Sequence, residues 1–117
     1  MKNDVIISKM INYVEKILKY TDGMKYSEFE SKDMVVEACV FNLSQLGELA
    51  NKVDKDFQKI HNTIPWREVY GLRNRIVHDY EGVNLKLVWE IISDDLPELK
   101  QMLSLIHISE PTRHLRI

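Results

Sequence analysis

The sequence has little of what non-helical folds require. It contains four glycines, three prolines and one cysteine in 117 residues, while 44% of its residues are hydrophobic and 29% are charged. So few turn-forming residues argue against collagen-like, disordered and β-sandwich chains and favour a compact helical domain. A chain of this length forms one domain with a real core but not two, which rules out a multidomain enzyme.

The chain also lacks an excess of positive charge. It has 16 lysines and arginines against 18 acidic residues, so its formal net charge is −2. Any hold on nucleic acid must therefore come from a local basic cluster, which disfavours a DNA-coating protein. The lone Cys39 cannot form an internal disulfide, and residues 1–4 are followed by only three apolar residues before Ser8. We therefore expect a cytoplasmic protein without a signal peptide or a membrane span.

The spacing of apolar residues predicts a first helix over residues 4–20 and a long second helix near residues 32–60. Residues 21–23 end the first helix, and Ser27 with Glu30 has the form of a capping box. At about 1.5 Å per residue the second helix would reach roughly 40 Å, which is longer than one small core requires. Part of its surface is therefore expected to serve a second subunit.

The third predicted helix begins at Pro65, whose missing N–H costs little in a first turn. Its apolar stripe continues to Tyr80, and Gly82 is placed to terminate it in a left-handed conformation. Gly47, inside the second helix, indicates that another helix approaches closely there, because glycine in a helix costs about 1 kcal/mol relative to alanine.

The fourth predicted helix is capped by Asn84 and carries an apolar stripe to Met102. Pro97 interrupts this stripe, and Asp94 and Asp95 are placed to cap a restarted helix, so we expect a kink there. The four helices with their short connections predict an all-α fold, an antiparallel four-helix bundle with a kinked last helix.

Residues 103–117 differ from the rest of the sequence. Residues 103–113 look like the translation of a transposon-end adapter used in preparing sequencing libraries, and no amphipathic stripe can be laid out past about Ile106. We therefore interpret residues 1–102 as the functional domain and residues 103–117 as an atypical tail, read through from the adapter. The histidines and arginines of this tail are left out of the functional argument.

The densest polar cluster covers residues 73–80, at the end of the third predicted helix. On a helical wheel Arg73 lies beside the buried stripe, where a guanidinium needs an anionic partner. His78 would point about 140° away from Arg73 on one regular helix. The two side chains can converge only if the helix unwinds near His78, or if two copies of the segment face each other across a dimer.

An arginine and a histidine suit the cleavage of RNA. Histidine can take a proton from a ribose 2′-hydroxyl, or give one to the leaving 5′-oxygen, near neutral pH. Arginine can offer two parallel N–H bonds to the phosphate and stabilise the charge of its transition state, so no metal is needed. The spacing alone is also that of a capped helix with a solvated basic end, and without further information that simpler reading is favoured.

The pattern R-x-x-x-x-H-x-Y, filled by Arg73, His78 and Tyr80, resembles the signature of the HEPN superfamily of helical ribonucleases. Residues 73–100 are similar to the HepT toxins of type VII-like toxin–antitoxin pairs. This resemblance implies a four-helix homodimer with a composite cleft, in which Arg73 and His78 are the catalytic pair and Asn74 supports them. It implies RNA cleavage without a metal or other cofactor, leaving a 2′,3′-cyclic phosphate.

The resemblance also implies a partner and a regulatory modification. The family's antitoxin is a minimal nucleotidyltransferase that moves AMP from ATP onto the motif tyrosine, which is Tyr80 here. An anion on Tyr80 would fill the cleft and compete with RNA phosphate for Arg73, while Arg75 is a candidate for steering RNA. The alternative is a non-catalytic helical binding module that docks the nucleotidyltransferase or presents Tyr80 to it.

Five further residues invite functional interpretations for which simpler ones exist. Cys39 lies on the apolar stripe and is expected to be a buried, inert thiol. His61 has no second ligand at metal spacing. We expect Trp66 and Trp89 to pack in the core or an interface rather than stack on bases, and Glu48 to be solvated.

Overall fold

The computed structural model describes residues 2–78 and 82–108, with His78 and Ile108 described by their backbone alone. These residues form the helices α1 (Asn3–Tyr20), α2 (Tyr26–Ser31), α3 (Asp33–Lys52), α4 (Lys55–Ile60), α5 (Trp66–Tyr70), α6 (Leu72–Ile76), α7 (Leu85–Glu90) and α8 (Leu96–Ile108). A π turn, Ile91–Asp95, joins α7 to α8. Two short strands, β1 (Val77–His78) and β2 (Gly82–Val83), pair antiparallel.

The helices form a closed bundle around one core, and its four layers are α1, α3 with α4, α5 with α6, and α7 with α8. Helix α1 packs on α3 and α8, α3 also packs on α5 and α6, and α7 with the π turn completes the ring against α6 and α8. The all-α four-helix bundle expected from the apolar spacing is confirmed. No helix within the described residues is long and apolar enough to cross a membrane. The fully buried core side chains are Ile6, Met10, Val14, Ile17, Phe29, Cys39, Leu43, Leu46, Ile76, Val88 and Leu103.

Helix α1 begins and ends close to where the spacing predicts. The Thr21 hydroxyl donates to the Ile17 carbonyl at 2.9 Å, and Gly23 follows with a φ of 75°. The capping box predicted from Ser27 and Glu30 is wrong. Helix α2 begins at Tyr26, one residue before the predicted cap, so Ser27 lies within it, and the Lys25 backbone N–H donates to the Glu28 carboxylate at 3.2 Å.

The long second helix predicted over residues 32–60 is also wrong, because it is two helices. Val53 and Asp54 are extended, with ψ of 137° and 138°, so α3 ends before them and α4 restarts after them. The apolar stripe continues across this break, since Val53 and Phe57 are both buried. Helix α3 alone is about 30 Å long. The length argument for a second subunit therefore no longer holds.

Gly47 allows α3 and α5 to approach closely, as predicted. A Cβ atom placed on Gly47 would lie 2.9 Å from the Val69 carbonyl oxygen and 3.1 Å from that of Tyr70. Both are backbone atoms and cannot swing away as a flexible side chain could. The absence of a side chain at Gly47 therefore sets the distance between the second and third layers.

The third predicted helix is shorter than expected and divided into two. Helix α5 gives way to a turn at Gly71, and α6 ends at Ile76 because Val77 adopts an extended backbone with ψ of 120°. Strand β1 then pairs with β2, with Val77 opposite Val83. Gly82 has a φ of 82° but begins a strand instead of closing a helix. The expectation that the helical stripe reaches Tyr80 concerns a position outside the described residues.

The fourth layer begins at the predicted cap. The Asn84 side-chain oxygen accepts the Leu87 backbone N–H at 3.1 Å. The irregularity predicted before Pro97 is the π turn, in which the Leu96 N–H donates to Ile91, five residues back. Asp94 lies exposed inside this turn together with Asp95, and the turn runs directly into α8. The prediction that these two aspartates cap a restarted helix is therefore wrong.

Helix α8 passes beyond residue 102 and continues to Ile108. Leu103 is fully buried and Ile106 is buried, so the apolar stripe extends through both positions. The described helix thus carries the stripe as far as Ile106, the position to which the apolar spacing could be followed. The division into a domain of residues 1–102 and an atypical tail of residues 103–117 stays a prediction about the origin of the sequence.

Candidate active site at the end of helix α6

Helix α6 presents a polar outer surface on a firmly anchored segment. Its first and last residues, Leu72 and Ile76, are buried in the core. The three residues between them, Arg73, Asn74 and Arg75, are exposed. A helix of this length has no stability of its own in water, so the two apolar anchors and the neighbouring layers hold the exposed groups in place.

The two arginines of α6 lie on opposite edges of the helix. At 3.6 residues per turn, Arg73 and Arg75 are separated by about 160° around the axis. Arg75 lines a groove between the third and fourth layers, where Glu68, Asp95 and Glu98 also lie. Arg73 therefore lies on the opposite edge of α6, away from this groove.

The two arginines differ in their suitability for binding an anion, because their surroundings differ. Three carboxylates share the groove with Arg75 and would repel a phosphate approaching it. Among the described residues, no carboxylate lies within 4.0 Å of the Arg73 guanidinium. The anionic partner expected for Arg73 is thus not supplied by the described part of the chain, and Arg73 is the better placed of the two to receive a phosphate.

The helix ends before His78, which is one of the two conditions under which the Arg73 and His78 side chains can converge. Helix α6 ends at Ile76, and His78 follows in the extended strand β1. The divergence of about 140° that one regular helix would impose therefore does not apply. Tyr80, the predicted modification site, lies outside the described residues.

Asn84 holds the end of α6 in a way that the sequence analysis missed. Its backbone N–H donates to the Ile76 carbonyl at 2.7 Å, while its side chain caps α7. One residue thus fixes both the end of the helix that carries Arg73 and the start of the fourth layer. The sequence signal for this role was the cap itself, because a residue at a helix start has a free backbone N–H.

Two other candidate residues lie in apolar surroundings. Cys39 is fully buried, as predicted, and burial raises the pKa of its thiol to about 11, which disfavours the thiolate. The His61 ring packs against the Phe57 ring, with 4.4 Å between the centroids. In the described ranges no group of three or more His, Cys, Asp or Glu side chains could hold a metal ion. Glu48 is exposed, as expected.

Both tryptophans pack against the protein, as predicted. The Trp66 ring is buried, and its indole N–H donates to the His61 carbonyl at 3.0 Å. Trp89 packs on Phe29 and Tyr26, with ring centroids 5.1 and 6.3 Å away. Trp66 is therefore a core residue, and Trp89 belongs to a cluster of aromatic rings with Phe29 and Tyr26.

The structure is that of an all-α domain that exposes Arg73 and Asn74 on α6 and carries an extended His78 after that helix. The family model described as Ribonuclease HepT-like matches residues 10–106. The chain therefore belongs to the HepT-like ribonuclease family. The match includes the whole of α6 and strand β1.

Similar proteins occur in archaea and bacteria. The chain is 33% identical to "Putative RNase MJ1216" of Methanocaldococcus jannaschii over 79% of this chain and 76% of that protein. It is 30% identical to "Probable ribonuclease HepT" of Thermococcus cleftensis over 74% and 79% of the two chains. It is 28% identical to "Putative RNase TTE0752" of Caldanaerobacter subterraneus subsp. tengcongensis over 81% and 85%. No solved structure gives a significant match.

Proposed function

We propose that this protein is a metal-independent endoribonuclease and the toxin of a type VII-like toxin–antitoxin pair, with Arg73 and His78 as its catalytic residues. The observation that carries the proposal is that α6 exposes Arg73 and Asn74 and ends at Ile76, two residues before His78. The arginine is held on an anchored helix, and the histidine follows on a backbone released from that helix. Membership of a ribonuclease family supports RNA as the substrate.

The chemistry is a transesterification within the RNA strand. His78 removes the proton from a ribose 2′-hydroxyl, and the oxygen attacks the adjacent phosphorus. The bond from phosphorus to the 5′-oxygen breaks, and that oxygen receives a proton, so a 2′,3′-cyclic phosphate and a 5′-hydroxyl are left. In a homodimer with a composite cleft, the two copies of His78 supply the base and the acid.

Arg73 supplies the charge that this transition state needs. The five-coordinate phosphorus carries an additional negative charge, to which a guanidinium can donate two parallel N–H bonds. Asn74, next to Arg73 on the exposed surface of α6, supports the site with a neutral amide that can donate to a phosphate oxygen. Arg75 has a secondary role at most, because it shares its groove with three carboxylates.

Regulation would act at Tyr80, two residues after His78 in the sequence. Transfer of AMP from ATP to the tyrosine hydroxyl by a minimal nucleotidyltransferase antitoxin adds a bulky anion next to the catalytic segment. This anion competes with the RNA phosphate for Arg73 and fills the space that the ribose needs. The proposal for Tyr80 is supported by the motif tyrosine of the family that the sequence resembles.

The test is cleavage of RNA by the purified chain in the presence of EDTA. The parent protein should cut RNA and leave a 2′,3′-cyclic phosphate, which mass spectrometry of the products identifies. His78→Ala and Arg73→Ala should lose this cleavage, while Arg67→Ala, which removes another exposed arginine on α5, should keep it. If His78→Ala cuts RNA as well as the parent, the catalytic assignment is wrong.

The alternative is a non-catalytic binding module that presents Tyr80 to its partner. The apolar groove beside α6, lined by Val69, Leu72, Leu96, Leu99 and Met102, is the observation that favours it, since such a groove can accept a partner's side chains. Incubation with the nucleotidyltransferase and ATP separates the two functions. AMP transfer to a chain that cuts no RNA in its unmodified form would favour the binding module.

A further inference from the structure

We propose that the outer surface of α1 and α3 is where two copies of this chain pair. This surface, the α1–α3 face, is a shallow depression lined by Tyr13, Lys16, Tyr20, Met34, Glu37, Ala38, Phe41 and Asn42. The inference rests on the proposed function to the extent that the nuclease cleft takes residues from two chains. The new element is the surface at which the two chains contact each other.

The α1–α3 face exposes large apolar side chains that the bundle leaves uncovered. Met34 is 85% exposed and Phe41 is 60% exposed, and the Tyr20 ring lies exposed beside them. Met34 and Phe41 are seven residues apart on α3 and therefore lie on the same side of that helix. Tyr13 and Tyr20 have the same spacing on α1. Neighbouring apolar side chains of this size on a soluble domain mark an interaction surface.

The exposure of these residues follows from the packing of α3. Its inner side already buries Cys39, Leu43 and Leu46 completely. Met34 and Phe41 lie on the opposite side, so no rotation of the helix could bury them without exposing the core. Within residues 2–78 and 82–108 they therefore stay exposed, and a second copy of the chain can cover them.

The charges of the face favour a second copy as that partner. One wall of the depression, on α1, carries Lys16, whose ammonium lies 5.5 Å from the centre of the Tyr13 ring. The other wall, on α3, carries Glu37. In a two-fold symmetric pair the same surface of both chains forms the interface, and each contact occurs twice. In the proposed arrangement, α1 of each chain lies against α3 of the other. Lys16 of each chain then faces Glu37 of the other.

The position of Arg73 agrees with pairing at this face. Helix α3 packs on both α1 and α6, and α6 carries Arg73. A second copy on the outer side of α3 therefore lies one helix away from the helix that carries Arg73. The groove between α6 and α8, which contains Arg75, is on the edge of α6 opposite to Arg73 and would lead a second copy away from Arg73.

The first test measures the oligomeric state by sedimentation velocity across low to high micromolar concentrations of the full chain. We expect a dimer whose dissociation constant rises roughly tenfold or more in Met34→Glu/Phe41→Glu. Ile60→Glu is the matched control, because Ile60 is 74% exposed on α4, outside the face. Circular dichroism shows whether each variant is folded. A monomeric parent, or a double variant that still pairs like the parent, overturns the proposal.

The second test exploits the symmetry of the charges. Lys16→Glu and Glu37→Lys should each weaken pairing, because like charges then face each other twice. An equal mixture of the two variants should form mixed dimers, in which every facing pair is again of opposite charge, and native mass spectrometry detects them. A contact within one chain would gain nothing from mixing, so the absence of mixed dimers overturns the proposed arrangement.

The two proposals fail separately. His78→Ala should pair like the parent while cutting no RNA. A dimer that depends on Met34 and Phe41 but cuts no RNA would remove the proposed nuclease and leave the pairing surface. Cleavage of RNA by the monomeric Met34→Glu/Phe41→Glu variant at the parent's rate would remove the link between pairing and catalysis.

Discussion

Helix α3 and the segment over residues 66–78 have similar amphipathic sequences but opposite structures. Helix α3 is regular over 20 residues and buries one side completely. Residues 66–78 change from helix to turn, back to helix and then to strand, and they expose Arg73, Asn74 and Arg75. The comparison teaches that a regular helix buries one side in the core of the bundle, while the interrupted segment exposes polar and charged side chains.

The largest expected effect is on the chemistry of the interrupted segment. His78→Ala should lower the rate of RNA cleavage by roughly 10² to 10⁴-fold, the range that a positioned general acid or base contributes. Its unfolding free energy should stay close to that of the parent. Cleavage assays and urea denaturation of the same preparation measure the two quantities. A variant that loses stability and activity together would show that His78 holds the fold.

The next effect is on the regular helix. Leu43→Ala should lower the free energy of unfolding by about 2 to 5 kcal/mol, because it opens a cavity at a fully buried position of α3. Arg75→Ala, at an exposed position of α6, serves as the comparison and should change stability by less than about 0.5 kcal/mol. Chemical denaturation measures both. Equal losses of unfolding free energy would contradict the distinction between the buried side of α3 and the exposed residues of α6.

Glycines in the two regions should respond differently to the same substitution. Gly47→Ala should destabilise the protein by about 1 to 3 kcal/mol, because the new Cβ meets the rigid Val69 carbonyl at 2.9 Å. Gly71→Ala meets the Arg67 carbonyl at 3.3 Å and should cost less. Thermal denaturation of the pair gives the ranking, and a larger loss at Gly71 would reverse our account of the packing between layers.

The smallest effect concerns the junction between site and bundle. Asn84→Ala should cost about 1 kcal/mol of unfolding free energy, since it removes the bond to the Leu87 N–H at the start of α7. Asn84→Ser keeps a side-chain acceptor and should recover most of this loss. Equal destabilisation of the two variants in urea titrations would mean that the cap contributes little.

Apolar spacing predicted the parts of the fold in which the pattern of buried residues coincides with a regular helical backbone. It located α1 and the start of α3, because their inward positions recur at helical intervals. It missed the break at Val53 because Val53 and Phe57 stay buried through an extended residue, so the stripe keeps its phase. A pattern of burial cannot reveal a change of backbone that leaves the burial unchanged.

The candidate site was predictable in its residue types but not in its backbone. The functional groups of Arg73 and His78 indicated RNA chemistry, and the wheel showed that one helix could not bring them together. Val77 leaves the helix and pairs with Val83, and this contact joins residues that lie six positions apart in the sequence. No helical periodicity contains that information.

The double role of Asn84 fixes both ends of the segment that carries His78. Its two ends are joined by one short backbone bond, and the second end also starts α7. The backbone position of His78 is therefore tied to the start of α7, and a change at Asn84 acts on both at once.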